Sequence, residues 1–413
     1  MTVEKRQEFG RRVAELRKQR GLTQKELAAE IGRTASWLSQ VERGIQPVIR
    51  LDVLRLLADG LGIPLHVLQP EALPLTGQAA QETDEPNDLD QARLVISGHP
   101  ALDLLLGAER GPLPAADLPE LRAAVDRIWE LTHADRFAEL GAALGPLIPR
   151  LERAARTAPD KHRGELHSLL ARAYQALAAA FVRQNEADAA WVAADRSIRA
   201  AELSDEPLTA FVGIFRLSHA FVTLNRLEQA EHATAAAISA LRRHAERDGA
   251  RPEELSVLGS LHLVLALVHA RAGERAPART HIGEARAVAR RLGEDRNDFH
   301  LEFGPTNVEI QAVATAVDLG DAGEALDIGA GLDASGLSVE RRARLLMDLG
   351  RAHAQRRHFG DALDHLLQAE ALAPEMIRGH VTARETIREL RLVAGRTATP
   401  ELLALVERTD AMA

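Results

Sequence analysis

The chain has 413 residues, of which 46% are hydrophobic, 3% aromatic and 27% charged, and it contains no cysteine. Disulfides and thiolate chemistry are therefore excluded, and the abundance of Ala, Leu, Arg and Glu favours helices. The N-terminus is charged rather than apolar, and no apolar run approaches the ~18–20 residues that span a bilayer. We therefore expect a cytoplasmic protein without a signal peptide.

The charge is unevenly distributed along the chain. Residues 1–69 contain 12 Lys and Arg and 8 Asp and Glu, a net charge of +4, whereas the remainder has a net charge of −13. Selective DNA contact by one end requires a basic N-terminal module on an acidic body. Small domains also differ by a few charges without any function, so this asymmetry alone decides little.

The first predicted helix covers about residues 4–20. Phe9, Val13 and Leu16 repeat at helical spacing and should face a core. Gly21 ends this helix, because a residue without Cβ readily adopts a left-handed conformation.

Residues 24–43 predict two short helices joined by a sharp turn. Thr23 and Glu26 have the spacing of a capping box at the start of the first, which covers about residues 24–31. Gly32 permits the turn, and Thr34 can cap the next helix. The apolar residues at helical spacing are Leu27, Ile31, Leu38 and Val41. Together these features predict a helix-turn-helix.

Two further helices complete the predicted domain, 1–69. Gly44 stops the third helix, and Pro47 holds the following loop extended. A fourth helix covers about 51–61, and Pro64 starts a short fifth helix that ends near Leu68. The inward residues of the fourth helix are Leu54, Leu57, Ala58 and Leu61.

This pattern resembles the DNA-binding unit of the lambda-repressor-like family, also called the xenobiotic-response-element family. The resemblance covers about residues 9–68. It rests on Leu-Thr-Gln-Lys-Glu-Leu-Ala at 22–28, on Gly32, on Leu-Ser-Gln-Val-Glu-Arg-Gly at 38–44 and on the helix from Leu54 to Ile63. It implies a five-helix domain that binds double-stranded DNA, usually as a dimer on half-sites about one helical turn apart.

The third helix is the recognition helix in this resemblance, which implies base reading at Ala35, Ser36 and Gln40. Gln40 is the best specificity candidate, because an amide can bond adenine bidentately. Ala35 offers only a methyl contact, and Ser36 and Ser39 can bond bases or phosphates. Trp37 either stacks on the sugar-phosphate backbone or covers the junction between helices, and we favour packing.

Other residues of the domain are expected on phosphates or in structural roles. The resemblance places Gln24 on a phosphate, and it implies a structural salt bridge between Arg17 and Glu42. The complete set of expected DNA contacts is Gln24, Arg33, Thr34, Ala35, Ser36, Trp37, Ser39, Gln40, Arg43 and Arg50.

Residues 70–90 have Pro, Gly and acidic residues without a helical period. We interpret them as an acidic, partly flexible linker.

Residues 91–413 predict a helical repeat array. A turn followed by a small or apolar residue five positions on recurs six times, and each turn lies between two amphipathic helices. The six segments are 135–140, 185–190, 225–230, 273–278, 320–325 and 357–362, at spacings of 50, 40, 48, 47 and 37 residues. The pattern resembles the tetratricopeptide repeat, although these spacings exceed its ~34 residues. An irregular helical bundle is the alternative.

The combination of the two domains resembles the Gram-positive peptide-pheromone receptors and related actinobacterial regulators. The resemblance implies a homodimer whose DNA binding changes when a linear peptide or a small molecule enters the groove of the repeats. Candidate ligand contacts are Arg216, Asn225, Arg271 and Asn307, although Asn225 is also typical of a turn. The alternative is a scaffold that recruits another protein to DNA without a small ligand.

Residues 299–308 interrupt the Ala-rich pattern. Gly304 and Pro305 break a helix, and Thr306 can cap the next one. The segment is either an ordinary loop between repeats or a groove-lining loop that touches ligand.

The sequence shows no catalytic constellation, so we expect no enzyme, cofactor or metal site. His262 and His269 are expected to pack in an apolar helix. His353, His358 and His365 lie in one helical hairpin without the spacing of zinc ligands.

Overall fold

The computed structural model describes residues 3–31, 35–43, 57, 58, 60, 61, 63, 89–98, 118–248 and 250–411. Contacts divide the chain into two compact units, 1–84 and 85–413. Within the described residues the regular structure is helical, apart from one isolated β-bridge between Arg296 and Phe303. The predicted all-α class is confirmed.

The N-terminal unit contains three described helices, α1 (Val3–Gln19), α2 (Gln24–Glu30) and α3 (Ala35–Glu42). The residues predicted to face the core do so, and the buried set is Phe9, Val13, Leu27, Ala28, Ile31, Leu38, Val41, Leu57, Ala58 and Leu61. Leu16 packs against this cluster and is partly buried. The predicted Gly32 turn, Thr34 cap and Gly44 stop, Pro47, Leu54 and the fifth helix from Pro64 to Leu68 lie outside the described residues.

Helix α1 crosses the end of α3 at Gly10. A Cβ atom at this position would lie 2.6 Å from the carbonyl oxygen of Glu42 and closer still to that of Val41. Only glycine permits this close approach of the two backbones. The sequence pattern alone did not indicate this requirement.

The second unit begins, among the described residues, with α4 (Leu89–Ser97) and continues with helices arranged as antiparallel pairs. The last two residues of the predicted linker, 89 and 90, belong to α4, and residues 70–88 lie outside the described residues. The six pairs are α5 (Leu118–His133) with α6 (Phe137–Thr157), α7 (Asp160–Arg183) with α8 (Ala187–Glu202), α9 (Pro207–Thr223) with α10 (Leu227–Asp248), α11 (Pro252–Arg271) with α12 (Arg275–Leu292), α13 (Pro305–Asp318) with α14 (Ala322–Gly329), and α15 (Val339–Gln355) with α16 (Phe359–Leu372).

All six predicted turns lie within these pairs and share one backbone geometry. Each turn residue has a positive φ, and these are Asp135, Asn185, Asn225, Gly273, Gly320 and Arg357. The next residue donates its backbone N–H to a carbonyl five residues earlier, as Glu186 does to Phe181 at 2.8 Å and His358 does to His353 at 2.9 Å. This pattern is the Schellman motif, in which the left-handed residue ends the helix and satisfies its last carbonyls.

The residue five positions after each turn residue packs where two helices cross. Its side chain is 0% exposed in every pair, and these residues are Leu140, Ala190, Ala230, Ala278, Ala325 and Ala362. A small side chain at the crossing lets the two helices approach closely, which is why alanine dominates this position. The recurring sequence pattern thus reports one repeated helix-pair geometry.

Three helices complete the unit: α17 (Pro374–Gly379), α18 (Val381–Ala394) and α19 (Pro400–Arg408). After α19 the backbone repeats the same motif. Asp410 has a φ of 47°, and Ala411 donates its backbone N–H to the Val406 carbonyl at 3.0 Å.

Helix α11 corrects one expectation from the sequence. Its 20 residues have a mean hydropathy of 1.3 in their most apolar stretch, so they are long and apolar enough to cross a membrane. In the protein 89% of that stretch is buried, because the neighbouring helices of the repeat array pack around it. A central helix of a packed array is apolar on all sides for this reason.

Candidate functional sites

The start of α2 is held by the predicted capping box. The backbone N–H of Glu26 donates to the Thr23 hydroxyl at 3.2 Å, and the backbone N–H of Thr23 donates to the Glu26 carboxylate at 2.7 Å. These two hydrogen bonds lower the pKa of Glu26. The box fixes where the helix-turn-helix begins.

Glu42 at the end of α3 joins all three helices. Arg17 donates to both of its carboxylate oxygens, at 2.6 and 3.1 Å, and also to the Leu22 carbonyl at 2.6 Å. The Arg17 side chain is only 9% exposed, and the hydrogen bond with Glu42 raises its pKa. The predicted structural salt bridge is confirmed.

Gln24, which we predict to contact a phosphate, also bonds to Glu42. Its amide nitrogen donates to the Glu42 carboxylate at 2.7 Å. An amide nitrogen has a second hydrogen to donate. The DNA contact of Gln24 therefore remains a prediction, now with a structural role beside it.

The remaining expected DNA contacts are only partly described. Ser39 is half-buried on α3, and the exposed Arg43 bonds through Nε to the Ser39 carbonyl at 3.3 Å. Ala35, Ser36, Trp37 and Gln40 belong to α3, but their side chains lie outside the described part of the chain. Arg33, Thr34 and Arg50 lie outside it altogether, so these contacts remain predictions.

The repeat unit encloses a cavity of about 460 Å³, which we call the central cavity. The first helices of five successive pairs line it, namely α7, α9, α11, α13 and α15, together with the start of α18. The second helices of these pairs contribute no lining residue. The cavity therefore lies on the inner side of the helical stack.

Arginine side chains dominate one part of this cavity. Arg183 pairs with Glu340 at 2.7 Å. Arg341 lies 3.5 Å from the Glu302 carboxylate. Among the described residues, no ion pair or hydrogen bond is found for Arg344. Arg216 has no carboxylate partner there either: it donates to the His300 carbonyl at 3.2 Å, and its guanidinium lies over the Trp129 ring at 5.3 Å.

The pKa values reflect this excess of positive charge. Burial lowers the pKa of Arg216 to about 9, and the guanidiniums of Arg183 and Arg341 lower it further. Burial likewise lowers the pKa of His219 to about 3, with Arg216 adding to the effect. Glu340 responds in the opposite direction: although its burial raises the pKa, nearby guanidiniums hold it below its usual range. An anion would be stabilised here.

Buried polar atoms without a hydrogen-bond partner are concentrated at this cavity. Seven lining residues have one each: Arg216 Nε, Ser260 Oγ, Asn307 Oδ1, Arg341 Nε, Arg344 Nε, Asp348 Oδ2 and His380 Nδ1. Buried polar groups in proteins are nearly always paired, with protein, water or ligand. The cavity therefore offers donors and acceptors from several helices to one occupant.

Three of the four predicted ligand residues lie at this cavity. Arg216, Arg271 and Asn307 line it, on α9, α11 and α13 respectively. Arg271 is paired with Asp318 at 3.0 Å. Asn225 is absent from the lining and occupies the turn between α9 and α10 with a φ of 56°, which agrees with its alternative interpretation as a turn residue. Ligand contact remains a prediction for this set.

The sequence did not single out Arg341, Arg344, His219 or His380. They come from three separate parts of the chain and meet only through tertiary packing. The available signal was the charged run Val-Glu-Arg-Arg-Ala-Arg at 339–344, which contrasts with the Ala-rich helices around it.

The segment 299–308 reaches the central cavity through Leu301 and Asn307. Its backbone is unusual, with positive φ at Phe299, His300 and Glu302. Non-glycine residues adopt such conformations only where the surroundings over-determine them. Here the His300 ring stacks on Trp129 with centroids 4.2 Å apart.

The predicted Thr306 cap is wrong. Gly304 occupies the position before α13, and Thr306 instead donates through its backbone N–H to Asp295 at 2.9 Å. The cap is supplied from eleven residues earlier because the extended turn places the Asp295 carboxylate beside the helix start.

Comparison with known proteins identifies the N-terminal unit. Residues 8–70 match the family described as "Helix-turn-helix domain", so this part of the chain is a helix-turn-helix DNA-binding domain. No curated protein sequence matches the chain.

Two solved structures show similarity to the chain. The crystal structure of Bacillus thuringiensis PlcR in complex with the peptide PapR7 and DNA has a TM-score of 0.29 and 16% identity, covering 70% of this chain and 96% of that one. The crystal structure of ComR from Streptococcus suis has a TM-score of 0.28 and 13% identity, covering 92% of this chain and 96% of that one. TM-scores this low carry no argument about this chain.

Proposed function

We propose that the protein is a cytoplasmic, sequence-specific transcription regulator whose repeat domain binds a signal molecule in the central cavity. Binding of the signal changes the affinity for operator DNA. The observation that carries this proposal is the set of seven unpartnered polar atoms around one enclosed cavity. A purely structural helical stack has no need for buried, unpaired groups of this kind.

The volume and charge of the cavity limit the signal. A volume of about 460 Å³ is typical of sites for small molecules or for a few residues of a peptide. Arg216, Arg341 and Arg344 present guanidiniums that lack a close carboxylate, so the signal contains a carboxylate or phosphate. Bidentate bonding to such a group is the strongest interaction that these side chains can make.

The helix-turn-helix domain supports the DNA-binding half of the proposal. Helix α3 reads bases in the major groove, with Gln40 as the main specificity residue. A single module with few strong base readers binds weakly, so the functional unit is a homodimer on two half-sites. The described residues assign no dimer interface.

A signal alters DNA binding only if it binds the DNA-competent and DNA-incompetent states with different affinity. The cavity suits this requirement because its lining comes from five successive helix pairs and from α18. A ligand that draws Arg216 and Arg344 together changes how these pairs stack. The coupling is reciprocal, so operator DNA changes the affinity for the signal by the same factor.

The test combines DNA selection with ligand detection on the full-length protein. Selection from genomic fragments at a stated salt concentration should recover a pseudo-palindromic operator. Native mass spectrometry of the protein purified from its own cells should show a co-purifying small molecule or peptide. The variant Arg344→Met should lose that molecule, whereas Arg290→Met, an exposed arginine on α12, should retain it. An operator affinity unchanged by the recovered molecule would contradict the proposal.

A protein-interaction scaffold is the second candidate. It is favoured by exposed large apolar side chains on the last helices, where Leu392 is 63%, Val393 54% and Leu403 45% exposed. Such a patch marks a protein contact. A stoichiometric protein partner retained by the full-length chain, and lost on Leu392→Glu, would favour the scaffold over the signal-binding regulator.

A further inference from the structure

The hairpin of α15 and α16 brings three histidines and one aspartate together. His353 lies in the last turn of α15, His358 immediately precedes α16, and Asp361 and His365 lie four residues apart on α16. The ligand atoms of His353, His358 and Asp361 all lie within 4.8 Å of one another. The rings of His353 and His365 have centroids 5.0 Å apart. The sequence spacing did not indicate this cluster, because the Schellman turn folds the chain back on itself.

These distances are close to those of a metal site. Zinc binds imidazole nitrogen and carboxylate oxygen at about 2.0–2.1 Å, so tetrahedral ligands lie about 3.3 Å apart. His353 Nδ1 lies 3.8 Å from the Asp361 carboxylate. Rotation of these side chains, without movement of the backbone, closes the remaining difference.

The backbone already fixes the two histidines around the turn. The backbone N–H of His358 donates to the carbonyl of His353 at 2.9 Å, as the Schellman motif requires. Positions that are held before binding lose less entropy when a ligand arrives. The His358 side chain does not cap α16, so its ring is available to a ligand.

Hydrogen bonding also sets the state of the rings. His365 Nδ1 lies 2.8 Å from the Asp361 carbonyl oxygen. A carbonyl only accepts, so Nδ1 carries the proton and Nε2 keeps its lone pair. This is the arrangement in which metal-binding histidines are oriented, with one ring nitrogen bonded to the protein and the other to the metal.

His353 is poised to act as a neutral ligand. Its Nδ1 is buried and has no hydrogen-bond partner. Burial lowers the pKa of His353, and so do the neighbouring imidazoles of His365 and His358, whereas Asp361 raises it. A neutral imidazole offers its lone pair to a metal without first releasing a proton.

We propose that His353, His358, Asp361 and His365 form a binding site for one divalent transition-metal ion of the zinc class. Three imidazoles and one carboxylate suit zinc, cobalt or nickel rather than magnesium or calcium, which prefer oxygen ligands. The ion clamps the turn between α15 and α16. Since α15 supplies Arg341 and Arg344 to the central cavity, the ion stabilises the helix that presents these guanidiniums.

The test is titration of the chelator-treated full-length protein with zinc chloride alone, followed by calorimetry. We expect about one zinc ion per chain, a rise in melting temperature and, with cobalt, the visible absorption of a tetrahedral site. The double variant His358→Ala/His365→Ala should weaken binding at least about tenfold. Asp361→Asn tests the carboxylate without removing a ring. His232→Ala replaces an exposed histidine outside the cluster and serves as the matched control.

The outcomes separate cleanly. Loss of zinc binding in the double variant and its retention in His232→Ala support the site. No binding at micromolar zinc would overturn it. Equal binding by the wild type and the double variant would also overturn it, and would direct attention to His133, Glu302 and Glu340, whose ligand atoms also lie within 4.8 Å of one another. The melting temperature of the metal-free variants shows whether they fold. None of these readouts depends on DNA or signal binding.

Discussion

The phenyl ring of Phe303 occupies the space that a side chain at residue 259 would need. A Cβ atom placed on Gly259 would overlap the end of this ring, and Phe303 is 0% exposed. The contact fastens the unusual segment 299–308 to the middle of α11. The conformation of that segment beside the central cavity therefore depends on one glycine in a distant helix.

Gly259→Ala should destabilise the repeat domain by about 1–3 kcal/mol, because the buried ring has to move out of its packed position. Phe303→Leu in the same chain should recover part of this loss, since leucine does not reach as far. Chemical denaturation of both single variants and the double variant measures the coupling. Gly283→Ala is the control: no atom lies within 4 Å of a Cβ there, so it should be neutral or slightly stabilising. Equal losses for both alanines would refute the packing argument.

Arg183 and Arg344 should respond oppositely to replacement by methionine. Arg183 pairs with Glu340 at 2.7 Å, and both side chains are under 10% exposed. Removing it leaves a buried carboxylate without its close partner, at a cost of about 3–5 kcal/mol. Arg344 has no such pair among the described residues, so Arg344→Met should leave the stability within about 1 kcal/mol or raise it.

Denaturation midpoints of the two variants, measured without signal, check this contrast. A loss for Arg344→Met as large as that for Arg183→Met would show that Arg344 is a structural residue rather than one held for a ligand. The same variants serve in the signal-binding experiment, where Arg344→Met is expected to fail despite normal stability.

Asp135 predicts a pH dependence of stability. Burial raises its pKa to about 7, although its Oδ2 accepts a hydrogen bond from the Met376 backbone N–H at 2.8 Å. An unfolded aspartate has a pKa of about 3.9. The folded state therefore holds the proton more tightly, and this group's stabilising contribution is lost as the pH rises from about 4 to about 7.

Asp135→Asn stays neutral, keeps an acceptor for Met376 and tolerates the positive φ of this turn. The variant should match the wild type near pH 4 and exceed its stability by up to a few kcal/mol above pH 7. The difference between the two unfolding free energies, measured across that range, isolates Asp135 from other titrating groups. Asp327→Asn, at an exposed position on α14, should give a flat difference. A flat difference for Asp135→Asn as well would contradict the assigned pKa.

Gln40→Ala should weaken binding to the selected operator by about 1–3 kcal/mol and relax the preference at one base pair. Arg43→Ala, as a phosphate contact, should weaken all sequences alike and reduce the salt dependence by about one charge. Binding titrations against the operator and single-base variants at two salt concentrations distinguish them. A uniform loss for Gln40→Ala would place this residue on the phosphate backbone.

The local features of this protein could be predicted from the sequence because they depend on neighbours in the chain. Thr23 and Glu26 form their capping box within one turn of helix. The six turn residues of the repeats adopt the left-handed conformation that ends a helix, and the small residue five positions on fills each crossing. Backbone hydrogen bonding and side-chain size at fixed spacing specify these elements wherever they occur.

The tertiary structure alone decided which side chains meet. Arg216, Asn307 and Arg344 belong to three different helices, and nothing in their local sequence indicates that they share one cavity. The clearance between Gly259 and Phe303 and the cluster of His353, His358 and Asp361 have the same origin. Such contacts depend on how helices cross and how far the chain turns back between them, because the free energy of packing is set by shape in three dimensions rather than by spacing along the chain.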